Sequence, residues 1–515
     1  MTRYITENYV EEVVAQFSVD NYSDDSTYYV NTIYEGSTNV ILRHDAYDLV
    51  GNPLQSPVIM CFCSTDVCNI DFETCATGIN YNSTTSTING STSSTTNAGT
   101  SSIPTVTTTP AGTTTNSSLT SQYMIAFYSF DGNALDLYST YNGTLMGGAT
   151  FTTAGYVRQA LLLSSNTQYV QTSFINVAYQ SFTISGWIST TSLMNASIFS
   201  QCSARVARKC LTLGILNRYL FMDFFGGFNT TGTTILNASK WFHVAFVYDQ
   251  VAQQQLIYLN GIENGRSAVG STPPYTGTCQ SVKLGAPLIG AIDQLLVTNR
   301  AKAANEILTD ATLVAAYSFN GNLLDSSPNG LNGSGSMSFS NSGRLGQALQ
   351  FSNTSALFQS TGLTALKTLN QSFSISLWLK PQVTFSGSSV LVLSSTNWCM
   401  QLVGITSSGA LVFKINGMSS SAQNISTTNW IHLAYTYSQI NEARFFINGN
   451  LVGNLQALFT PANSSVTLNI GGRPSTNPSC TSSSITSGFY QGLVDELKIF
   501  SRELSSTDII ALANP

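Results

Sequence analysis

From about residue 122 onward, apolar and polar residues alternate in short runs with a period of two, as in "FTISGWI" from Phe182 and "IHLAYTY" from Ile431. Successive side chains of a strand point to opposite faces, so the pattern predicts strands with one buried face and one wet face. The runs are rich in Val, Ile, Phe, Tyr and Thr, and Asn-Gly and Gly-Gly pairs punctuate them as turns. Many short strands of this kind bury their apolar faces by pairing two antiparallel sheets. Only "AKAANEIL" and "SSTDIIALA" have helix character.

The pattern occurs twice. "IAFYSFDGNALDL" from Ile125 returns as "VAAYSFNGNLLDS" from Val314, "RQALLL" from Arg158 as "GQALQF" from Gly346, and "SFTISGW" from Ser181 as "SFSISLW" from Ser372. "WFHVAFVYD" from Trp241 maps on "WIHLAYTYS" from Trp430, and "YLNG" from Tyr258 on "FING" from Phe446. The offset stays near ~190 residues, the size of a complete domain rather than of a solenoid unit. It then jumps by about a dozen at "GAIDQLLVTNR" against "GLVDELKIFSR", which places an insertion in "RPSTNPSCTSSSITSGFY" of the second copy. The expected fold class is all-β: two tandem antiparallel β-sandwich domains, residues 122–311 and 312–515.

Residues 81–121 are mostly Ser and Thr with Gly, Asn and two prolines, and carry almost nothing to bury. They predict a disordered linker, either an O-glycosylated stalk or a plain tether, after a small Cys-containing fragment at 1–80. Charged residues are only 9% of the chain, the formal net charge is -6 and the pI is near 5.1, with no long Lys/Arg block. Nothing here can neutralise a phosphate backbone, so no nucleic-acid partner is expected. No apolar run reaches the ~18–20 residues of a transmembrane helix, and "MTRYITENYVEE" lacks the basic-then-apolar pattern of a secretory signal. The nine cysteines, several closely spaced, point instead to an oxidising compartment. The expectation is an extracellular, secreted chain whose signal peptide is missing from this sequence. About thirteen glycosylation sequons add little, because this Asn, Ser and Thr content gives about ten or eleven by chance.

The ordered series Y-S-F-(D/N)-G-N, (G/R)-Q-A-L, S-F-(T/S)-I-S-x-W, W-x-H-(V/L)-A, (Y/F)-(L/I)-N-G and G-x-(V/I)-D-(E/Q)-L resembles the laminin-G-like or concanavalin-A-like jelly-roll family, over 122–515 as two copies. The resemblance implies lectin-like sandwiches in an extracellular recognition or adhesion protein that binds a glycan or protein ligand through loops. The alternatives are a structural matrix or coat protein without a discrete ligand, and a degenerate glycoside hydrolase. Enzymes of this fold tend to carry an E-x-D-x-x-E triplet, which this chain lacks, so no catalytic residue is expected. The nearest carboxyls, Asp495 and Glu496, are adjacent and so expected on opposite sides of a strand; the first copy has Asp293 and Gln294 there.

Related jelly rolls can hold a structural calcium between first and last strands, which makes Asp131, Asp293, Asn320 and Asp495 candidate ligands; the plainer role is turn and strand-end hydrogen bonding. No other cofactor is expected. His243 and His432, two residues after Trp241 and Trp430, are expected to pack or hydrogen-bond, and Trp187 and Trp378 to lie in the core rather than form a sugar platform. Trp398 has no counterpart in the first copy and is the candidate exposed stacking residue, while Arg205, Arg208 and Lys209 are candidates for an anionic glycan. Cys399 and Cys480, alone in the second copy, are expected to pair and fix the insertion. Cys202 and Cys210 suit a hairpin bridge that the family resemblance also favours, with Cys210 to Cys279 as the rival. "MCFCSTDVCN" resembles the end of a three-finger domain whose beginning is absent, which implies Cys63–Cys68 and Cys61–Cys75.

Overall fold

The computed structural model describes residues 124–515, apart from 203–205, 278–279, 354, 382–386, 427, 462–463 and 473–487. Before residue 124 it describes the strands Thr2–Ile5, Glu11–Phe17, Ser26–Val30, Thr32–Glu35, Asn39–His44 and Val58–Cys63. These six form two three-stranded antiparallel sheets within the unit Met1–Thr115. The second unit, Asn116–Pro515, holds both copies.

Each copy is a sandwich of two antiparallel sheets. In the first, the central strand Phe182–Thr190 lies between the strand Phe242–Asp249 and the closing strand Gly290–Thr298, and the first strand Met124–Tyr128 also pairs with the closing strand. A seven-stranded sheet that includes Asn195–Cys202 and Cys210–Leu216 packs opposite it. The second copy repeats this with Phe373–Pro381, Ile431–Ser438, Gly492–Phe500 and Leu313–Tyr317 in the same places. Trp187 faces His243 and Asp293 across the ladder, and Trp378 faces His432 and Asp495, so the copies share one register.

Alternation explains the two faces. Phe182, Ile184 and Ile188 enter the core between the sheets, while Thr183, Ser185 and Trp187 lie on the outer face. That outer face is closed by the terminal helix of each copy. Ile307 of the helix Ala304–Thr312 packs on Ala245, Val247 and Tyr258, and Ile509 of the helix Ser506–Ala513 packs on Ala434, Phe446 and Phe500. The second helix starts on a capping box, in which Ser505 Oγ accepts from the Asp508 amide at 3.2 Å and the Asp508 carboxylate accepts from the Ser505 amide at 2.8 Å. The first helix ends at Thr312 and the next strand begins at Leu313.

Candidate functional site

The outer face of each sandwich is organised around one bulge. Ser185 pairs with Leu296 and Trp187 with Asp293, so the closing strand carries one residue more than its partner, and Gln294 has a φ of 51°. The second copy repeats it: Ser376 pairs with Lys498, Trp378 with Asp495, and Glu496 has a φ of 49°. Ile292 and Leu295 can then both enter the core while Asp293 stands on the outer face. The expectation that Asp495 and Glu496 point to opposite faces is therefore corrected. Val494 and Leu497 fill the core, and Glu496 reaches Lys498 on the outer side at 3.5 Å.

Both aspartates are fully buried because a loop lies over them. Asp293 Oδ2 accepts from the Val157 amide at 3.0 Å, and Asp495 Oδ2 accepts from the Arg344 and Leu345 amides at 2.7 and 3.0 Å. The other end of each loop is held by the first strand's turn: Asp131 Oδ1 accepts from the Gln159 amide at 3.1 Å and Asn320 Oδ1 from the Gln347 amide at 2.7 Å. The four candidate calcium ligands thus pin two equivalent loops, "GYVRQAL" and "GRLGQAL". Asp293 Oδ1 has no hydrogen-bond partner, and Asp131 also meets the Arg158 guanidinium at 3.2 Å. The amide contacts are those of the plainer role, turn and strand-end hydrogen bonding. Burial pushes the Asp293 and Asp495 carboxyls up to about 7 against the pull of the loop amides.

The pinned loop sets what covers each tryptophan. Tyr156 stacks on Trp187 with ring centroids 3.4 Å apart and planes 11° off parallel, and meets Trp241 edge-on at 6.3 Å. At the equivalent place the Arg344 guanidinium lies 4.4 Å from the Trp378 ring centre. Trp187 and Trp378 are buried, yet on the outer face and not in the sandwich core where the sequence reading placed them. His243 and His432 each meet their tryptophan edge-on at 5.3 Å, and His432 Nε2 lies 2.8 Å from Ser376 Oγ. Burial lowers these imidazoles to about 3 and about 4, so both pack as neutral rings.

A cleft of about 830 Å³ opens beside this aromatic group, between the two sandwiches. Its floor comes from the first copy, through Tyr156, Trp187 and Trp241, and its wall from the second, through Thr364, Thr368 and Gln371. Tyr156 and Val157 pack against the core cluster of the second copy, and Thr364 Oγ1 donates to the Tyr156 carbonyl at 3.5 Å. The sequence reading missed the cleft and Tyr156. The one available signal was the register itself, which sets an aromatic residue against Arg344.

The remaining candidates lie apart from the cleft. Trp398 is corrected from an exposed residue to a partly buried one, because it begins the strand Trp398–Ile405 and packs against the core with its ring edge-on to Phe459 at 6.4 Å. Arg208 sits in the hairpin after Cys202 with its carbonyl accepting from the Thr276 amide at 2.8 Å and hydroxyl at 3.0 Å; Lys209 is exposed and Arg205 lies outside the described residues. Cys202 and Cys210 face each other across the ladder and are joined by a disulfide, which leaves no thiol on Cys210 for Cys279. Cys399 is disulfide-bonded, while Cys480, Cys279, Cys68 and Cys75 lie outside the described residues, as do the side chains of Cys61 and Cys63.

No curated protein sequence matches the chain. Among solved structures it is similar to domain 4 of AbnA, an extracellular GH43 arabinanase from Geobacillus stearothermophilus in complex with arabinotriose, at 24% identity over 39% of this chain and 98% of that one, TM-score 0.30. It is also similar to domains LG4-5 of the mouse laminin alpha1 chain, at 14% identity over 67% and 90%, TM-score 0.22. Two spans, residues 164–308 and 352–510, match one laminin-G-type family and together make up more than half of the sequence. With two sandwiches in one register and that match, the chain belongs to the concanavalin A-like lectin/glucanases superfamily.

Proposed function

We propose that the protein is an extracellular, non-enzymatic recognition protein whose two sandwiches hold a carbohydrate or protein ligand. The observation that carries this reading is the cleft of about 830 Å³, with an aromatic floor and a hydroxyl- and amide-bearing wall. Its volume falls within the ~300–1,000 Å³ of ligand pockets, and flat rings beside a few directed polar groups are how such pockets orient a ligand. The cysteine usage and the bridged hairpin at Cys202 and Cys210 favour an oxidising location. The non-enzymatic part is supported by the carboxyls: Asp293 and Asp495 are fully buried and accept from loop amides, out of a substrate's reach. Binding of the full chain to a glycan array, together with a pull-down from extracellular matrix extract, tests the reading. Retention of a defined glycan or protein is expected. Release of reducing sugar from polysaccharide would move the chain to the hydrolases, and failure to retain anything would favour a structural coat role.

A further inference from the structure

We infer that the cleft is a composite site for an uncharged oligosaccharide, made only by the tandem pair and based on Trp241; this rests on the recognition reading above. The floor of the cleft is aromatic. Tyr156 caps Trp187 and meets Trp241 edge-on, so Trp241 and Tyr156 are the partly exposed rings at the cleft, Trp241 being the indole. The C–H face of a sugar ring packs on such an indole while its hydroxyls stay directed outward to polar groups.

The wall of the cleft offers a ligand little net charge. Arg502 and Glu503 border the cleft, but Arg502 is bound to Asp508 at 2.8 Å and to Thr312 Oγ1 at 3.2 Å, and Glu503 to Asn441 at 2.9 Å and Arg444 at 3.8 Å. The groups left to meet a ligand are mainly neutral, Asn260, Thr364, Thr368 and Gln371, with Lys367 at the exposed side. Neutral donors and acceptors match hydroxyls; a carboxylated or sulfated chain would require more cationic groups than the wall presents.

The two copies differ at this place. The second copy has Trp430 where the first has Trp241, but Arg344 in place of Tyr156, with its guanidinium over Trp378. The loop 155–159 of the first copy is seated against the second, which supplies the wall of the cleft. The two copies therefore contribute unlike parts to this one cleft.

The test uses the full chain. Neutral gluco-, xylo-, manno- and galacto-oligosaccharides of three to six units are arrayed beside sialylated, uronic and sulfated glycans, and the best neutral binder is titrated by calorimetry. A neutral oligosaccharide is expected to bind best. Trp241→Ala should weaken it about tenfold or more and Gln371→Ala several-fold, while Trp241→Phe retains most of the affinity and Trp430→Ala leaves Kd unchanged. Circular dichroism melts verify that each variant is folded; if Trp241→Ala does not fold, Gln371→Ala and Trp241→Phe carry the comparison. Selective binding of acidic glycans, equal loss in Trp430→Ala, or an unchanged Kd in Trp241→Ala and Gln371→Ala would overturn the composite site and leave the recognition reading in place. If no glycan binds but matrix protein is retained, the oligosaccharide is wrong and recognition still holds.

Discussion

At the scale of single residues, the two buried aspartates do the most structural work, because each joins a closing strand to a loop far away in sequence. Asp495 accepts from the amides of Arg344, Leu345 and Glu496. Removing the carboxyl strands those donors in a buried setting, at ~1–3 kcal/mol for an unsatisfied buried group. Asp495→Ala should therefore lower stability by about 3 kcal/mol, and Asp495→Asn, which keeps an acceptor, by less; equal urea midpoints for the two variants would show that the loop does not depend on this bond. The histidines give a pH dependence of the opposite sign to the aspartates. His243 and His432, lowered to about 3 and about 4 by burial, contribute stability that is present above 6.5 and lost as pH falls through those values. Asp293 and Asp495, raised to about 7, contribute stability that is present below 3.8 and lost as pH rises through about 7. A His243→Gln/His432→Gln protein should thus gain in melting temperature relative to wild type as pH drops from 6.5 to 4. A constant difference across that range would mean that the rings are solvated.

At the scale of elements, bulges and close strand approaches decide which side chains reach which face. The strand pair Asn195–Cys202 and Cys210–Leu216 shifts register between Ser197 and Phe199, opposite Gly214. A Cβ on Gly214 would overlap the Ala196 carbonyl oxygen and crowd Ser197 Cα at 2.8 Å, both backbone atoms that cannot rotate away. Gly214→Ala should cost about 1–3 kcal/mol, read as a lower denaturant midpoint. An unperturbed midpoint would mean the two strands can separate without penalty. The bulges at Gln294 and Glu496 had a faint signature in the sequence: apolar residues at 292, 295 and 297, and at 494, 497 and 499, stand three and then two apart. A strict two-residue period hides that extra residue, so adjacent Asp495 and Glu496 read as opposite-facing when they are not.

At the scale of the whole molecule, the two sandwiches are joined by the pinned loop of the first, whose Val157 is 6% exposed and belongs to the core cluster of the second. An unpaired charge there cannot be solvated without separating the surfaces. Val157→Asp should loosen the pair, seen as a larger radius of gyration in small-angle scattering with the strand content by circular dichroism retained. Unchanged scattering would show that the two copies are held together by other contacts. The same variant should also lose oligosaccharide binding, since floor and wall of the cleft come from different copies.

The sequence alone determined the repeat, its register, the sandwich class and the helices at the end of each copy, because periodicity, turn residues and duplicated motifs are local properties of the chain. It also set Trp187 and Trp378 in equivalent places, and His243 and His432 likewise, while their pairing across the ladder came from the fold. Tertiary structure alone decided the rest. The Val157 amide and Asp293 are 136 residues apart, and Thr364 and the Tyr156 carbonyl 208, separations across which no pattern of neighbours specifies a contact. The outer-face position of the tryptophans, the loop-pinning contacts of Asp131, Asp293, Asn320 and Asp495 and the cleft between copies all depend on such contacts. They arise only when a folded surface meets another folded surface.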